Sequence, residues 1–196
     1  MTTSARPPVL ERFLRYAVLD TESDRESTTA PSSEKQLRLA ELLVEELLAL
    51  GVQDARIGKG GVVYGSLPAT AGCEAAPAIG FIAHMDTSPD APGANVSPQI
   101  VRYEGGDVLL NEAEGIVFEA ARFPEIRKYA GEDVVFTDGT TLLGADDKAG
   151  IAAIVEMVAR LQADPSIPHA KICVGFTPDE EVARGTENFD IKAALV

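Results

Sequence analysis

The sequence predicts an α/β fold in which a mixed β-sheet is flanked by helices. Two observations support this prediction: apolar runs with the length of strands alternate with segments of helical length, and residues 171–176 are apolar almost throughout. A strand that is apolar on both faces belongs to a sheet that helices cover. With 196 residues, of which 45% are hydrophobic, the chain is long enough to bury such a core.

The helices are predicted from their end signals and from apolar spacing. The first covers residues 9–18, and the second runs from the capping-box pattern SEKQ at residues 33–36 to Gly51, with leucines along one side. A third helix is expected from about residue 148 to residue 162. Strands are predicted at residues 55–57, 62–67, 78–83, 134–136 and 171–176. Residues 87–131, rich in Gly, Pro and Asn, are expected to be irregular, as long functional loops often are.

Charge and composition narrow the classes of function. The chain has 17 Lys and Arg against 31 Asp and Glu, and its net charge of −14 disfavours nucleic acid and anionic membranes as partners. The first residues form no signal-peptide pattern, and no run approaches ~20 apolar residues, so we expect a soluble cytoplasmic protein that binds a small molecule, a peptide or a cation.

Cys73 and Cys173 are too few for a disulfide framework or a cysteine-based zinc site. A metal would therefore be held by carboxylates and histidine.

Three polar clusters lie where predicted strands end or where a helix begins. They are His84-Met85-Asp86, Asp146-Asp147 and Asp179-Glu180-Glu181. In open α/β sheets ligands bind outside the carboxyl ends of the strands, so these clusters could converge in space.

His84 and Asp86 have a structural and a functional interpretation. A single histidine at a strand end is more often a hydrogen-bonded structural residue than a ligand. Asp86, however, lies two residues further along an extended chain and therefore faces the same side. Its carboxylate could accept the second ring N–H of His84 and orient a metal-bound imidazole.

The acidic pairs also allow two interpretations. Asp146 and Asp147 could simply begin the following helix, and Glu180 and Glu181 could form a solvated helix start. If Glu180 and Glu181 face a cleft, they cannot both be ionised and unpaired there, because the low dielectric strengthens their repulsion. This conflict is resolved if one of them binds a metal and the other holds the metal's water as general base. An aspartate of the first pair could likewise bridge two divalent ions. Lys148 is expected to pair with Asp147 or with another surface acid.

Three stretches resemble the tripeptide-aminopeptidase group of the zinc-dependent M20 peptidase family. They are HMDTSPDAPGANVSPQIV, TDGTTLLGADDKAGIAAI and FTPDEEVARGTENFD, and the resemblance runs from ERFLRY to the Phe189-Asp190 pair. It implies a zinc-peptidase-like catalytic domain that releases the N-terminal residue from tripeptides, in the cytoplasm, by attack of a metal-bound water. It also implies two Zn²⁺ per complete active site and a homodimeric complete enzyme.

The resemblance assigns a role to five residues of this chain. It implies that His84 binds one zinc, Asp86 orients His84, Asp146 bridges the two ions, Glu180 is the general base and Glu181 binds the second zinc.

Two departures from the family pattern bear on these assignments. Ala183 stands where the family usually has glycine, which would alter the local turn. Family members are also longer, with a further Asp ligand, an inserted dimerisation domain and a final His ligand. We therefore expect residues 1–196 to be a truncated, N-terminal part of the catalytic domain, and the apolar residues 193–196 suit an interrupted element. Each zinc would keep two protein ligands instead of the usual three, which predicts a chain nearly inactive alone.

Two other functions stay open from the sequence. Another M20 amidohydrolase, such as an amino-acid deacylase or a carboxypeptidase, would share the metal motifs but not the substrate. A non-catalytic metal-binding or interaction fragment would keep part of the site without turnover, and acidic loops could also be merely solubilising.

Overall fold

A computed structural model of the protein describes residues 6–192. Within this range there are three α-helices, α1 (Pro8–Ala17), α2 (Lys35–Ala49) and α3 (Ala145–Ala163). All three predicted helices are therefore present, with ends within a few residues of the expected ones. The interrupted element expected at residues 193–196 lies outside the described residues.

Local signals explain where α1 and α2 begin or end. Pro8 occupies the first turn of α1, where the fixed backbone angle of proline suits a helix and its missing N–H costs nothing. At the end of α2, Gly51 has a φ of +90° and donates its N–H to Leu48 O at 3.0 Å, while the Val52 N–H bonds Leu47 O at 3.0 Å. These paired bonds form a Schellman motif, as the glycine predicted.

The capping box predicted at the start of α2 is wrong. The side chain of Gln36 does not return to the helix start but is fully buried and donates to the Asp179 carboxylate at 2.7 Å. Ser33 Oγ accepts only a 3.3 Å bond from the Lys35 N–H. The helix begins where the pattern predicted, but the Gln36 side chain bonds the distant Asp179 instead of capping the helix.

The strands of the described residues form one larger sheet and two small pairs. The four-stranded sheet has the order β1-β2-β8-β3, the first pair joins β4 and β7, and the second joins β5 and β6. The strands are β1 (Arg56–Ile57), β2 (Val63–Leu67), β3 (Ile79–His84), β4 (Gln99–Tyr103), β5 (Val108–Asn111), β6 (Ile116–Phe118), β7 (Glu132–Phe136) and β8 (Ile172–Thr177).

The larger sheet is mixed, which confirms the predicted fold class. Strand β2 pairs antiparallel with β8, and β3 pairs parallel with β8. The parallel register places His84 opposite Thr177, so β3 and β8 end side by side. This alignment brings the segments that follow both strands to one edge of the sheet.

The helices cover one face of this sheet. Alternate residues of β8 face them, as the two-residue period of a strand requires. A single core cluster joins residues of the three helices to residues of the sheet, including Phe13, Tyr16, Leu39, Leu43, Leu47, Val63, Ile151, Val155, Ile172, Val174 and Phe176. On the opposite face Phe189 packs close to Gly175 and 5.6 Å, ring to ring, from Tyr64.

Residues 87–131 are more regular than expected. They contain β4, β5, β6 and a 3₁₀ helix at Pro124–Tyr129. The strands β4 to β6 are three to five residues long, and nearly all of their residues are at most partly buried. The prediction of an irregular segment was wrong because such short, partly exposed strands leave little pattern in the sequence.

Of the helices in residues 6–192, none combines the length and the apolar character that crossing a bilayer requires.

Candidate active site

His84 ends β3 with its ring almost buried and both ring nitrogens engaged. Its Nδ1 lies 3.0 Å from the main-chain oxygen of Asp86 and 3.3 Å from the Asp86 carboxylate. Its Nε2 lies 2.9 Å from Asp146 Oδ1 and 3.9 Å from Glu180 Oε2. Because these neighbours are all acceptors, the ring satisfies them best when both nitrogens carry a proton.

The electrostatics of His84 agree with this arrangement. Burial lowers the pKa of His84, but hydrogen bonds and charges from Asp86 and Asp146 outweigh burial and raise it to about 9. An imidazolium at neutral pH is therefore the state of the ring without a cation. A cation that binds Nε2 would have to displace that proton.

Asp86 joins two of the polar clusters. Its fully buried carboxylate accepts the main-chain N–H of Glu180 at 2.9 Å and that of Glu181 at 3.0 Å. The sequence predicted only the contact between Asp86 and the His84 ring. The carboxylate makes that contact at 3.3 Å, and it also fixes the acidic dipeptide beside the histidine.

Asp146 and Asp147 face different ways at the start of α3. Asp146 has non-helical backbone angles and an 87% exposed side chain that meets His84, and its peptide bond to Asp147 is cis. The Asp147 carboxylate lies over the first helical turn, where a Cβ atom at Gly150 would collide with it. Burial raises the pKa of Asp147, which the charge of His84 and main-chain N–H groups oppose. Asp146 therefore meets the His84 ring, whereas the Asp147 carboxylate lies against the first turn of α3.

Lys148 does not pair with Asp147 or with a surface acid, and that prediction is wrong. Its side chain is fully buried, and its ammonium donates to the main-chain oxygen of Leu19 at 2.7 Å. Burial lowers the pKa of Lys148 to about 8, against an opposing effect of Asp20. Leu19 leads into a loop that pairs with Thr87 through a 3.1 Å bond from the Ser23 N–H. The lysine thus links the start of α3 to the segment that follows Asp86.

Glu180 and Glu181 complete the group, with different degrees of exposure. The Glu180 side chain is 60% exposed and reaches towards the His84 ring. Glu181 is partly buried, and burial raises its pKa. The charge of His84 lowers that pKa, while the charges of Asp86, Asp146 and Glu180 raise it further. Glu181 therefore feels a concentration of negative charge that a cation would relieve.

The described residues do not form a complete metal site. Within residues 6–192, no three His, Cys, Asp or Glu side chains are grouped closely enough to hold a metal ion. His84 and Asp146 do form a pair, and an imidazole with a carboxylate is a donor set that suits zinc. The roles of His84, Asp146 and Glu181 as zinc ligands, and of Asp86 and Glu180 in catalysis, stay predictions.

Asp179 also has a part beside these residues, which the sequence did not predict. Its carboxylate is buried and accepts hydrogen bonds from Ser32 and Gln36, which lie at the start of α2. The partners are 147 and 143 residues away along the chain. No local pattern could have found them.

Ala183 keeps the tight turn despite lacking the glycine of the family pattern. It has a φ of +60°, in the left-handed region, and its N–H donates to Glu180 O at 2.8 Å. The change from glycine therefore leaves the shape of the turn intact but destabilises it, because a Cβ atom in this conformation costs roughly 1–2 kcal/mol.

Comparison with known sequences decides the relationship. No family model matches the chain. Peptidase T of Desulfitobacterium hafniense strain Y51, however, is 58% identical over 184 residues, which are 93% of this chain and 44% of the relative. The chain is a homologue of peptidase T. It spans less than half the length of the curated peptidase T relative it matches.

Two solved structures have a similar fold. A tripeptidase from Staphylococcus aureus has 25% sequence identity and a TM-score of 0.63, over 95% of this chain and 40% of that one. An aminopeptidase PepT from Bacillus cereus, at 24% identity and a TM-score of 0.64, shares the fold over 96% of this chain and 41% of its own.

Proposed function

We propose that this chain supplies one part of the active site of a zinc-dependent tripeptide aminopeptidase. The main support is geometric: the His84 ring, Asp146 and Glu180 meet where β3 and β8 end side by side. The names of the similar proteins, peptidase T and a tripeptidase, agree with this chemistry. Residues 1–196 then form the N-terminal part of a catalytic domain, which the rest of a longer, homodimeric, cytoplasmic enzyme completes.

The residues present fit a divalent cation. An imidazole nitrogen and a carboxylate oxygen already face one another at 2.9 Å, and the nearby acids raise the pKa of Glu181. Zinc, when bound, polarises a peptide carbonyl and makes water a better nucleophile. His84 and Asp146 would hold one ion, and Asp146 and Glu181 would hold a second, with the remaining ligands outside this chain.

Three side chains of this chain have the remaining roles in the proposed reaction. Asp86 holds Nδ1 of His84, so Nε2 is the nitrogen that faces the site. Glu180 is the exposed acid beside that nitrogen, free to take a proton from the attacking water and to return it to the leaving amine. Asp86 also anchors the Glu180 main chain, so the base and the histidine share one support.

Activity assays on a completed enzyme test this proposal. The chain is joined to the part of the D. hafniense peptidase T that it does not match, and is offered tripeptides, dipeptides and N-acyl amino acids. We expect cleavage of tripeptides, and a loss of about 10²–10⁴-fold in kcat for Glu180→Gln. The 196-residue chain alone should be nearly inactive.

The matched control replaces another exposed acid of the same type, Glu114→Gln, which lies far along the chain from the site and should leave kcat unchanged. Full tripeptidase activity of the Glu180→Gln enzyme would refute the general-base assignment. Turnover of N-acyl amino acids in place of tripeptides would instead assign the site to another amidohydrolase.

A further inference from the structure

Asp179 directly precedes Glu180 and is held at the start of α2. We propose that Asp179 is a positioning residue, whose buried carboxylate, fixed by Ser32 and Gln36, sets the place of Glu180 and Glu181 beside His84. The purpose of that placement rests on the proposed function. The placement itself rests on the hydrogen bonds of the Asp179 carboxylate.

The Asp179 carboxylate meets donors only. The Ser32 N–H contacts both of its oxygens, at 3.0 and 2.8 Å, and the Ser32 hydroxyl donates at 2.5 Å. Gln36 Nε2 donates at 2.7 Å, and Gln36 Oε1 accepts the Asp179 N–H at 3.2 Å. All three residues are buried. Because an ionised carboxylate accepts and never donates, this set of donors selects aspartate over asparagine.

A second link holds the other end of the same loop. We call residues 178–184 the acidic loop and residues 27–36 the entry segment of α2. The Arg184 guanidinium donates to Ser27 O at 3.1 Å and to Thr29 O at 3.0 Å. The Arg184 N–H also closes the loop on Asp179 O at 2.8 Å. The entry segment of α2 is therefore hydrogen-bonded to the acidic loop near both of its ends, at Asp179 and at Arg184.

The two glutamates lie between these attachment points. Their N–H groups reach the Asp86 carboxylate, which lies beside the His84 ring. Asp179 is one peptide unit from Glu180, so a displacement of Asp179 carries the Glu180 main chain away from Asp86. Asp179 has no contact of its own with the ring among the described residues, and it acts through the main chain.

Amide hydrogen exchange in the metal-free 196-residue chain tests this placement. In Asp179→Asn the new NH₂ group must face one of the donors, so we expect the Glu180 and Glu181 amides to exchange at least about tenfold faster. In the double variant Asp179→Asn with Gln36→Glu, the new amide at position 179 donates to the new carboxylate at position 36, the reverse of the wild-type bond. This variant should restore exchange to within about threefold of the wild type. Rescue of this kind would not follow from a general loss of stability.

Ile172→Val is the matched control, since it weakens the core at the far end of β8. It should leave exchange at both amides unchanged relative to the other amides of β8. If Asp179→Asn changes those two amides no more than Ile172→Val does, the positioning role is wrong. Should Asp179→Asn fail to fold, Gln36→Ala removes one donor, keeps the carboxylate, and must show the same local acceleration.

A zinc titration of the same variants separates this inference from the proposed function. Weaker zinc binding by Asp179→Asn than by the wild type, with recovery in the double variant, supports both. If exchange responds as expected but the wild type binds no zinc, positioning stands and the zinc assignment fails. If exchange does not respond, positioning fails whatever the titration gives.

Discussion

Removal of the Asp86 carboxylate should destabilise the chain more than any other single change at the site. The group is fully buried and accepts two main-chain N–H groups at 2.9 and 3.0 Å, with the His84 ring at 3.3 Å. In Asp86→Ala all three donors lose this partner. Since two of them belong to Glu180 and Glu181, the acidic loop also loses its anchor beside the histidine.

The magnitude follows from these hydrogen bonds. A bond to a charged acceptor contributes about 1.5–3 kcal/mol net, so two main-chain bonds give roughly 3–6 kcal/mol. The variant recovers part of this, because the buried charge disappears and His84 can release its proton. We expect a loss of about 3–5 kcal/mol in the free energy of unfolding, a large share of the 5–15 kcal/mol typical of a domain.

Urea denaturation at pH 7, followed by circular dichroism, measures this loss. Asp90→Ala is the control, since it deletes the same atoms from a side chain that is 68% exposed and pairs with Arg25 at the surface. The control should change stability by less than about 0.5 kcal/mol. An Asp86→Ala chain within about 1 kcal/mol of the wild type would show that the carboxylate does not hold the site together.

Two further predictions concern pH and the turn after the glutamates. Because the pKa of His84 is raised to about 9 from 6.5, its stabilising contribution is complete below pH 6.5 and is lost as the pH rises towards 9. Between pH 6.5 and 8 the unfolding free energy of the metal-free chain should fall by roughly 1–2 kcal/mol, and a flat profile in His84→Gln would attribute the fall to this ring. Lys148, whose pKa is lowered from 10.5 to about 8, opposes the trend mainly as the pH rises above 8. Ala183→Gly should stabilise the chain by about 0.5–1 kcal/mol, because removal of the Cβ atom at a φ of +60° outweighs the entropy that glycine adds to the unfolded chain. Ala153→Gly, on the exposed side of α3, should destabilise it by about 1 kcal/mol, and equal effects of both changes in thermal unfolding would contradict the strain at Ala183.

The sequence predicts the parts of the fold that local signals determine. The leucines of α2 and the glycine after it define a helix without help from the rest of the chain, and Gly51 adopts the conformation that this signal requires. The strands β3 and β8 are recognisable because they are apolar over a full strand length. Strands β4 to β6 are too short and too exposed to leave such a pattern.

The candidate site likewise contains residues whose position the sequence predicts and residues whose contacts it does not. His84, Asp86, Asp146 and Glu180 are near one another, as their positions at strand ends and at a helix start predicted. Lys148 and Gln36 were interpreted wrongly because each bonds a residue more than a hundred positions away. A side chain at a helix start can face solvent, its own helix or a distant loop, and only the packed chain decides among them.

Anomalous diffraction at the zinc edge, from crystals of this chain grown with Zn²⁺, tests the central claim most directly. The proposed function predicts that the strongest peak lies within bonding distance of His84 Nε2 and Asp146 Oδ1, at about 2.0–2.2 Å from each. The peak should vanish in His84→Ala. Zinc bound only at other surface acids, or an undiminished peak at this same position in His84→Ala, as distinct from the second position beside Asp146 and Glu181, would contradict the assignment of His84 as a zinc ligand.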